Sequence, residues 1–246
     1  MEKEFVIKPA GDSAVAVMFK NEISEEVNNQ VAALRKSLER LAMQSITECL
    51  PTYRSIMVHY NPLMISYKKI VSVIEKCIND KEQQDVRVAK TYVIPVCYGH
   101  EYGPDLDTVA SLNDLSHDKV IDIHTSVDYR IYMLGFTPGF PYLGGMDDAI
   151  ATPRLTEPRM KIHGGSVGIA GKQTGIYPID SPGGWQIIGR TPLKLFDVNN
   201  SSPILLEAGN YIRFEAVDKN TFELIESQIQ SQTYRCKIIS HEQGGV

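Results

Sequence analysis

The segment His163–Gly175, HGGSVGIAGKQTG, carries glycines, a Gly-Lys pair and little other charge, the residue types from which phosphate-binding loops are made. Such a loop wraps consecutive backbone N–H groups around the phosphates. Its lysine faces their charge and its hydroxyl holds magnesium, which requires the spacing G-x-x-x-x-G-K-[ST]. Here Gly165 and Gly171 enclose five residues instead of four, and Gln173 stands in the place of the hydroxyl. Val167 and Ile169 alternate with small residues, the period of a strand. The segment therefore reads as strand, turn over Lys172–Gly175, strand, and argues against a nucleotide on this loop.

Two other stretches are dense in residues that shape a backbone for chemistry: MLGFTPGFPYLGG at 133–145 and SPGGWQIIGRTP at 181–192. Glycine lets a chain approach a ligand closely, and proline presets the turn. N–H groups left open in such loops can stabilise an oxyanion. The same composition also suits tight barrel turns, and both readings stand at this point.

The elements that must hold these stretches fall into two halves. Residues 1–85 read as strand, strand, helix, strand, strand, helix, an α+β layer with two helices on an antiparallel sheet. Val27, Val31, Leu34, Leu38 and Leu41 form one apolar stripe behind a Ser24 cap, and Tyr67, Ile70, Val71, Ile74 and Ile78 form another. A polar run at 79–90 suggests a linker, so the second domain is placed at 86–246. Between Gly135 and Gly189 lie twelve of the eighteen glycines and six of the thirteen prolines, a bias that raises the possibility of disorder. Disordered segments are polar, however, and this one holds Phe136, Phe140, Tyr142, Tyr177, Trp185 and several isoleucines. Short apolar strands between glycine turns predict a closed or nearly closed β-barrel. Leu193–Phe196 and Tyr211–Val217 read as further strands, Asp105–Ser111 and Ser116–His124 as short helices, and Thr221–Gln230 as a surface helix.

Composition narrows the function. The net charge of −5 leaves no basic face for nucleic acid, and no run of the chain reads as a signal peptide or membrane span. Cys49, Cys77, Cys97 and Cys236 are scattered without a C-x-x-C pair, and the six histidines show no ligand spacing. No metal, no disulfide scaffold and a cytoplasmic location are expected.

The two glycine-dense stretches resemble the KipI/PxpB family, also called allophanate hydrolase subunit 1. Ile121–Thr125 and Gly165–Pro178 fit it too, as do Pro95–Gly99, Gly103-Pro104-Asp105-Leu106 and Gly11–Ala14. The resemblance spans most of the chain and is densest from Pro95 to Pro192. It implies a small N-terminal α+β domain followed by a cyclophilin-like β-barrel domain. It further implies a subunit of an ATP-dependent 5-oxoprolinase, which opens 5-oxo-L-proline to L-glutamate. The partners would be a paralogous carboxyltransferase-like subunit and a third subunit. The same family includes an inhibitor of a sensor histidine kinase, the alternative reading: a binding module without catalysis of its own.

Opening an unstrained lactam calls for activation by ATP, a cation for the substrate carboxylate, a base for water and donors for an oxyanion. With no convincing phosphate loop here, ATP is expected largely on a partner. His124 is the candidate base or hydrogen-bonding residue, with Asp122 orienting it if the two share one face of a strand; His124 is equally readable as a satisfied core residue. Arg154, Arg159 and Arg190 are candidates to hold the carboxylate, Arg190 as part of the catalytic set and Arg159 more readily as an ion-pairing residue. Gly139, Phe140, Gln173, Tyr177 and Trp185 are candidates to line a pocket, Trp185 alternatively being plain barrel core.

Overall fold

The computed structural model describes residues 5–80 and 89–241. The chain divides into two compact units, Met1–Arg87 and Val88–Val246. The expected boundary at 85/86 and most of the expected linker lie outside the described residues.

In the first unit the Ser24 side chain accepts a hydrogen bond from the Val27 amide and starts helix α1 (Glu25–Arg40), with Glu25 and Glu26 favourably placed at its positive end. Strands β1 (Phe5–Pro9), β2 (Ala14–Phe19), β3 (Ile46–Pro51) and β4 (Ser55–Tyr60) pair antiparallel in the order β1-β2-β4-β3. Helix α2 (Tyr67–Asn79) completes the unit. Val15 and Val17 of β2 and Ile56 and Val58 of β4 bury against Val31 and Leu34 of α1 and Ile70 and Ile74 of α2. The period-two and period-four patterns thus meet in one core. Leu41 and Tyr67, expected on the helical stripes, are exposed, because one lies past the last turn of α1 and the other opens α2.

The second unit begins with β5 (Ala89–Tyr98), followed by α3 (Leu106–Leu112), α4 (His117–Thr125), β6 (Asp128–Leu134) and β7 (Pro141–Gly144). A 3-10 turn (Asp148–Ile150) leads to β8 (Arg159–Ile162), β9 (Ser166–Ala170), β10 (Gln173–Ile176), β11 (Ser181–Gly183) and β12 (Gln186–Arg190). The last described elements are β13 (Tyr211–Ala216), α5 (Lys219–Gln230) and β14 (Ile238–His241). The main sheet runs β10-β9-β12-β5-β13-β6-β7. Its two ends, β10 and β7, come into contact, so the sheet curls into a nearly closed barrel. β13 runs parallel to β5, and Asp218 just beyond it caps α5 at the Thr221 amide. The core inside holds Ile94, Val96, Tyr129, Ile131, Ile188 and Phe214.

Two expectations need correction. Lys172–Gly175 is not the turn: Ala170 pairs with Gln173, so Gly171-Lys172 forms a two-residue hairpin loop and residues 173–176 are already strand. Gly171 sits at φ +59°, the conformation such a loop needs at its first position. Leu193–Phe196 forms no named strand and contributes only a single bridge, Phe196 to Ile204, near Pro192 and Pro203, which lack a donor. A further strand, β14, had no sequence signature; it adds antiparallel to the first residues of β5.

Candidate functional site

Ser116 caps α4 through the Lys119 amide, and this short helix carries Asp122 and His124. Two residues apart on a helix, they point about 200° from one another. Asp122 is exposed, whereas His124 is wholly enclosed. Asp122 therefore does not orient His124, because the i, i+2 pairing needed a strand. The imidazole instead joins a closed chain of hydrogen bonds. Thr174 gives its only hydroxyl proton to the Gly168 carbonyl (3.1 Å), so it accepts from His124 Nε2–H (2.8 Å). His124 Nδ1 is then bare and accepts from the Tyr98 hydroxyl (2.8 Å). The ring stacks on Phe214 with centroids 4.4 Å apart. Burial pushes its pKa down to about 3, so the residue is neutral.

The glycine-dense stretches enclose a second, smaller core of Phe140, Tyr177 and Trp185. The rings meet edge to face, Phe140 to Trp185 at 5.7 Å and Tyr177 to Trp185 at 6.1 Å. Two glycines make this possible. A Cβ on Gly183 would stand 2.3 Å from the Tyr177 hydroxyl, and one on Gly175 would stand 3.0 Å from the Trp185 ring. Arg154 lies over Trp185, 6.0 Å from the ring centroid, on the exposed side. Gly139 (φ +82°) turns the preceding loop, at whose tip Phe136 is 72% exposed with φ +66°. Gln173 is half-buried at the start of β10. The Thr137 and Ser181 hydroxyls and the Gln186 amide oxygen of this region are buried without a hydrogen-bond partner among the described residues.

Arg159 is committed elsewhere. Its two terminal nitrogens hold both oxygens of Asp105, at 2.9 and 2.7 Å, and the same carboxylate accepts the Ile187 amide at 2.6 Å. Asp105 ties the entry to α3 onto β12, and Gly103 must be glycine there, since a Cβ would fall 2.0 Å from the Ile188 carbonyl oxygen. Sequence reasoning gave Asp105 no role. An Asp just before a helix is ordinarily taken as a cap, which hides its long-range partner.

Arg190 lies at the far end of β12 from Trp185, roughly 15 Å along the strand. Arg154 and Arg190 thus cannot grip one small substrate together. Arg190 lines a cavity of about 560 Å³ between the 164–165 and 178–180 turns, the segment after β12 and one side of α5. His124, Arg154 and Trp185 do not line it. The sequence candidates thus separate into a core network, an aromatic face and a cavity wall.

The lookalike phosphate loop forms part of that wall, and its amides are already used. Gly164 donates to the Asp180 carboxylate (2.8 Å), Gly165 to the Tyr177 carbonyl (2.7 Å) and Ser166 to the His163 carbonyl (3.1 Å). The Gly164 hydrogen bond, with Lys161 close by, holds the Asp180 carboxyl below its usual range. No run of open N–H groups remains for phosphates. Lys172 pairs with Asp148. Among the described residues no cluster of three His, Cys, Asp or Glu side chains can hold a metal ion. The four cysteines are free thiols, and burial pushes those of Cys49 and Cys236 up to about 11.

The fold is that of a carboxyltransferase-like domain. The structure of the Kluyveromyces lactis urea amidolyase superposes with a TM-score of 0.77 over 96% of this chain and 16% of that one, at 20% identity, a likeness of fold alone. The chain belongs to the family of the carboxyltransferase domain, subdomain C and D, whose pattern matches residues 5–206. It is 44% identical to a 5-oxoprolinase subunit of Bacillus subtilis over 239 residues, covering 93% of this chain and 99% of that protein. It is 38% identical to the equivalent 5-oxoprolinase subunit of Haemophilus influenzae over 208 residues, covering 85% and 96%. Among the described residues no helix is long and apolar enough to cross a membrane.

Proposed function

We propose that this chain is a subunit of an ATP-dependent 5-oxoprolinase that converts 5-oxo-L-proline to L-glutamate. The observation that carries the reading is the end-to-end similarity to the 5-oxoprolinase subunit of Bacillus subtilis. In the reaction, the lactam oxygen takes the terminal phosphoryl group of ATP and water adds to the activated carbon. The ring C–N bond breaks with a proton to nitrogen, and a second water releases phosphate from the resulting acyl phosphate. Glutamate, ADP and phosphate are the products.

The side chains support a non-autonomous role. His124 is neutral and sealed away from solvent, so it is not placed to take a proton from water. The amides of the 164–166 turn are spent within the chain, which favours ATP on another subunit. The exposed Phe136 tip and the Arg154–Trp185 face suit a surface that a paralogous carboxyltransferase-like subunit and a third subunit would complete. To test this, the chain is purified alone and with those partners, and ATP-dependent glutamate release is followed. Glutamate should form only in the assembled enzyme. Full activity from the isolated chain, or none from the reconstituted set, overturns the reading.

A further inference from the structure

Three arginines had the chemistry to hold a carboxylate, and the structure distinguishes them. Arg159 is paired through both terminal nitrogens with Asp105, and Arg154 rests on the outer face of an indole ring. Arg190 alone of the three lines the half-open cavity. Its Nε donates to the Gly164 carbonyl at 3.2 Å, which fixes the plane of the guanidinium. No carboxylate among the described residues forms an ion pair with it. The two glycines that imitate a phosphate loop are what make this geometry possible. Gly165 sits at φ +86°, and a Cβ there would stand 2.4 Å from the Thr191 carbonyl oxygen, so the turn packs directly onto the end of β12 and brings Gly164 to Arg190.

The apolar part of the lining is Phe196 from the segment after β12 and Phe222 and Ile229 from α5; the same elements also contribute Lys194, Asp197, Glu226 and Gln230. The other charges at the cavity are mostly matched. Lys194 lies 3.9 Å from Asp197, and Asp180 is held by Lys161 and the Gly164 amide. Glu226 on α5 is the remaining acid, and it is exposed. Arg190 is the lining cation left without an acidic partner among the described residues, and the carboxylates of Asp180, Asp197 and Glu226 at the same pocket disfavour a dianion, so the site selects a singly charged anion with an apolar body.

We propose that this cavity is a monocarboxylate-binding site, in which Arg190 takes the carboxylate and the Phe196–Phe222 side takes a small ring. Choosing 5-oxo-L-proline as the ligand rests on the functional reading above; the class of ligand does not. The lining residues all belong to this chain, so the proposal predicts binding by the isolated protein.

The test is calorimetric titration of the purified chain with 5-oxo-L-proline and with its primary amide, which lacks only the charge. The acid should bind, and the amide should bind about tenfold or more weakly. Arg190→Met, which keeps the apolar stem, should weaken the acid by about tenfold or more and leave the amide unchanged. Arg190→Lys should recover part of the affinity, and the thermal midpoints of all three proteins should agree. Equal binding of acid and amide, undiminished binding to R190M, or no binding of the acid to the folded chain would each overturn the proposal. Turnover by the assembled enzyme separates the two claims. Full kcat/KM with R190M leaves the functional reading standing and removes this site, whereas acid binding through Arg190 without any turnover does the reverse.

Discussion

Arg159 and Asp105, far apart in the chain, form a two-toothed clamp in which both carboxylate oxygens are engaged at 2.9 and 2.7 Å. Because Asp105 also receives the Ile187 amide, one side chain joins β8, α3 and β12. The Asp105 side chain is 9% exposed and that of Arg159 is 33% exposed. Removing the acid strands a buried amide and a half-buried cation, whereas removing the arginine leaves an acid with one strong donor. Asp105→Ala should cost about 3 kcal/mol in denaturant unfolding and Arg159→Ala clearly less. Equal costs would show that the Ile187 bond contributes nothing.

His124 makes stability depend on pH. Its folded pKa of about 3 lies below the unfolded value of about 6.5, so the unfolded chain binds the extra proton between those limits. The contribution is complete above pH 6.5 and is lost progressively as pH falls toward 3. Its slope should reach about 1.4 kcal/mol per pH unit. Denaturant midpoints measured between pH 7 and 4 should fall more steeply for the natural protein than for His124→Gln, which cannot titrate. Parallel curves would place the dependence on other groups.

Glycines in the same region should respond very differently to a methyl group. Gly103→Ala drives Cβ against the Ile188 carbonyl and should prevent folding or cost about 3 kcal/mol or more. Gly171→Ala meets nothing within 4 Å and suffers only from its left-handed backbone, about 1 kcal/mol. Soluble expression and thermal midpoints of the two variants give the comparison. Similar losses would mean that backbone conformation alone decides both positions.

Phe136 holds a left-handed backbone with most of its ring in water. Phe136→Gly should raise the unfolding free energy of the isolated chain by about 0.5–1 kcal/mol through release of that strain. The same change should lower activity of the reconstituted enzyme if the ring is a contact for another subunit. A variant that is both destabilised and fully active would remove the tip from the interface.

Much of the local structure was legible in the residues themselves. Ser24 announces a helix because a hydroxyl before an apolar stripe has one obvious backbone partner. Val15, Val17, Ile56 and Val58 alternate because a strand shows every second residue to one core. The alternation of Val167 and Ile169 announced a strand and hairpin, though the loop falls at Gly171-Lys172 and not over Lys172–Gly175. Only the tertiary structure decided what the candidate side chains do. The helix carrying Asp122 and His124 was readable, but the enclosure of His124 between Tyr98 and Thr174 was not, and three chemically identical arginines acquire three surroundings from residues remote in the chain. Spacing along a chain specifies local geometry, whereas burial and partnership depend on which distant strands the closing barrel brings side by side.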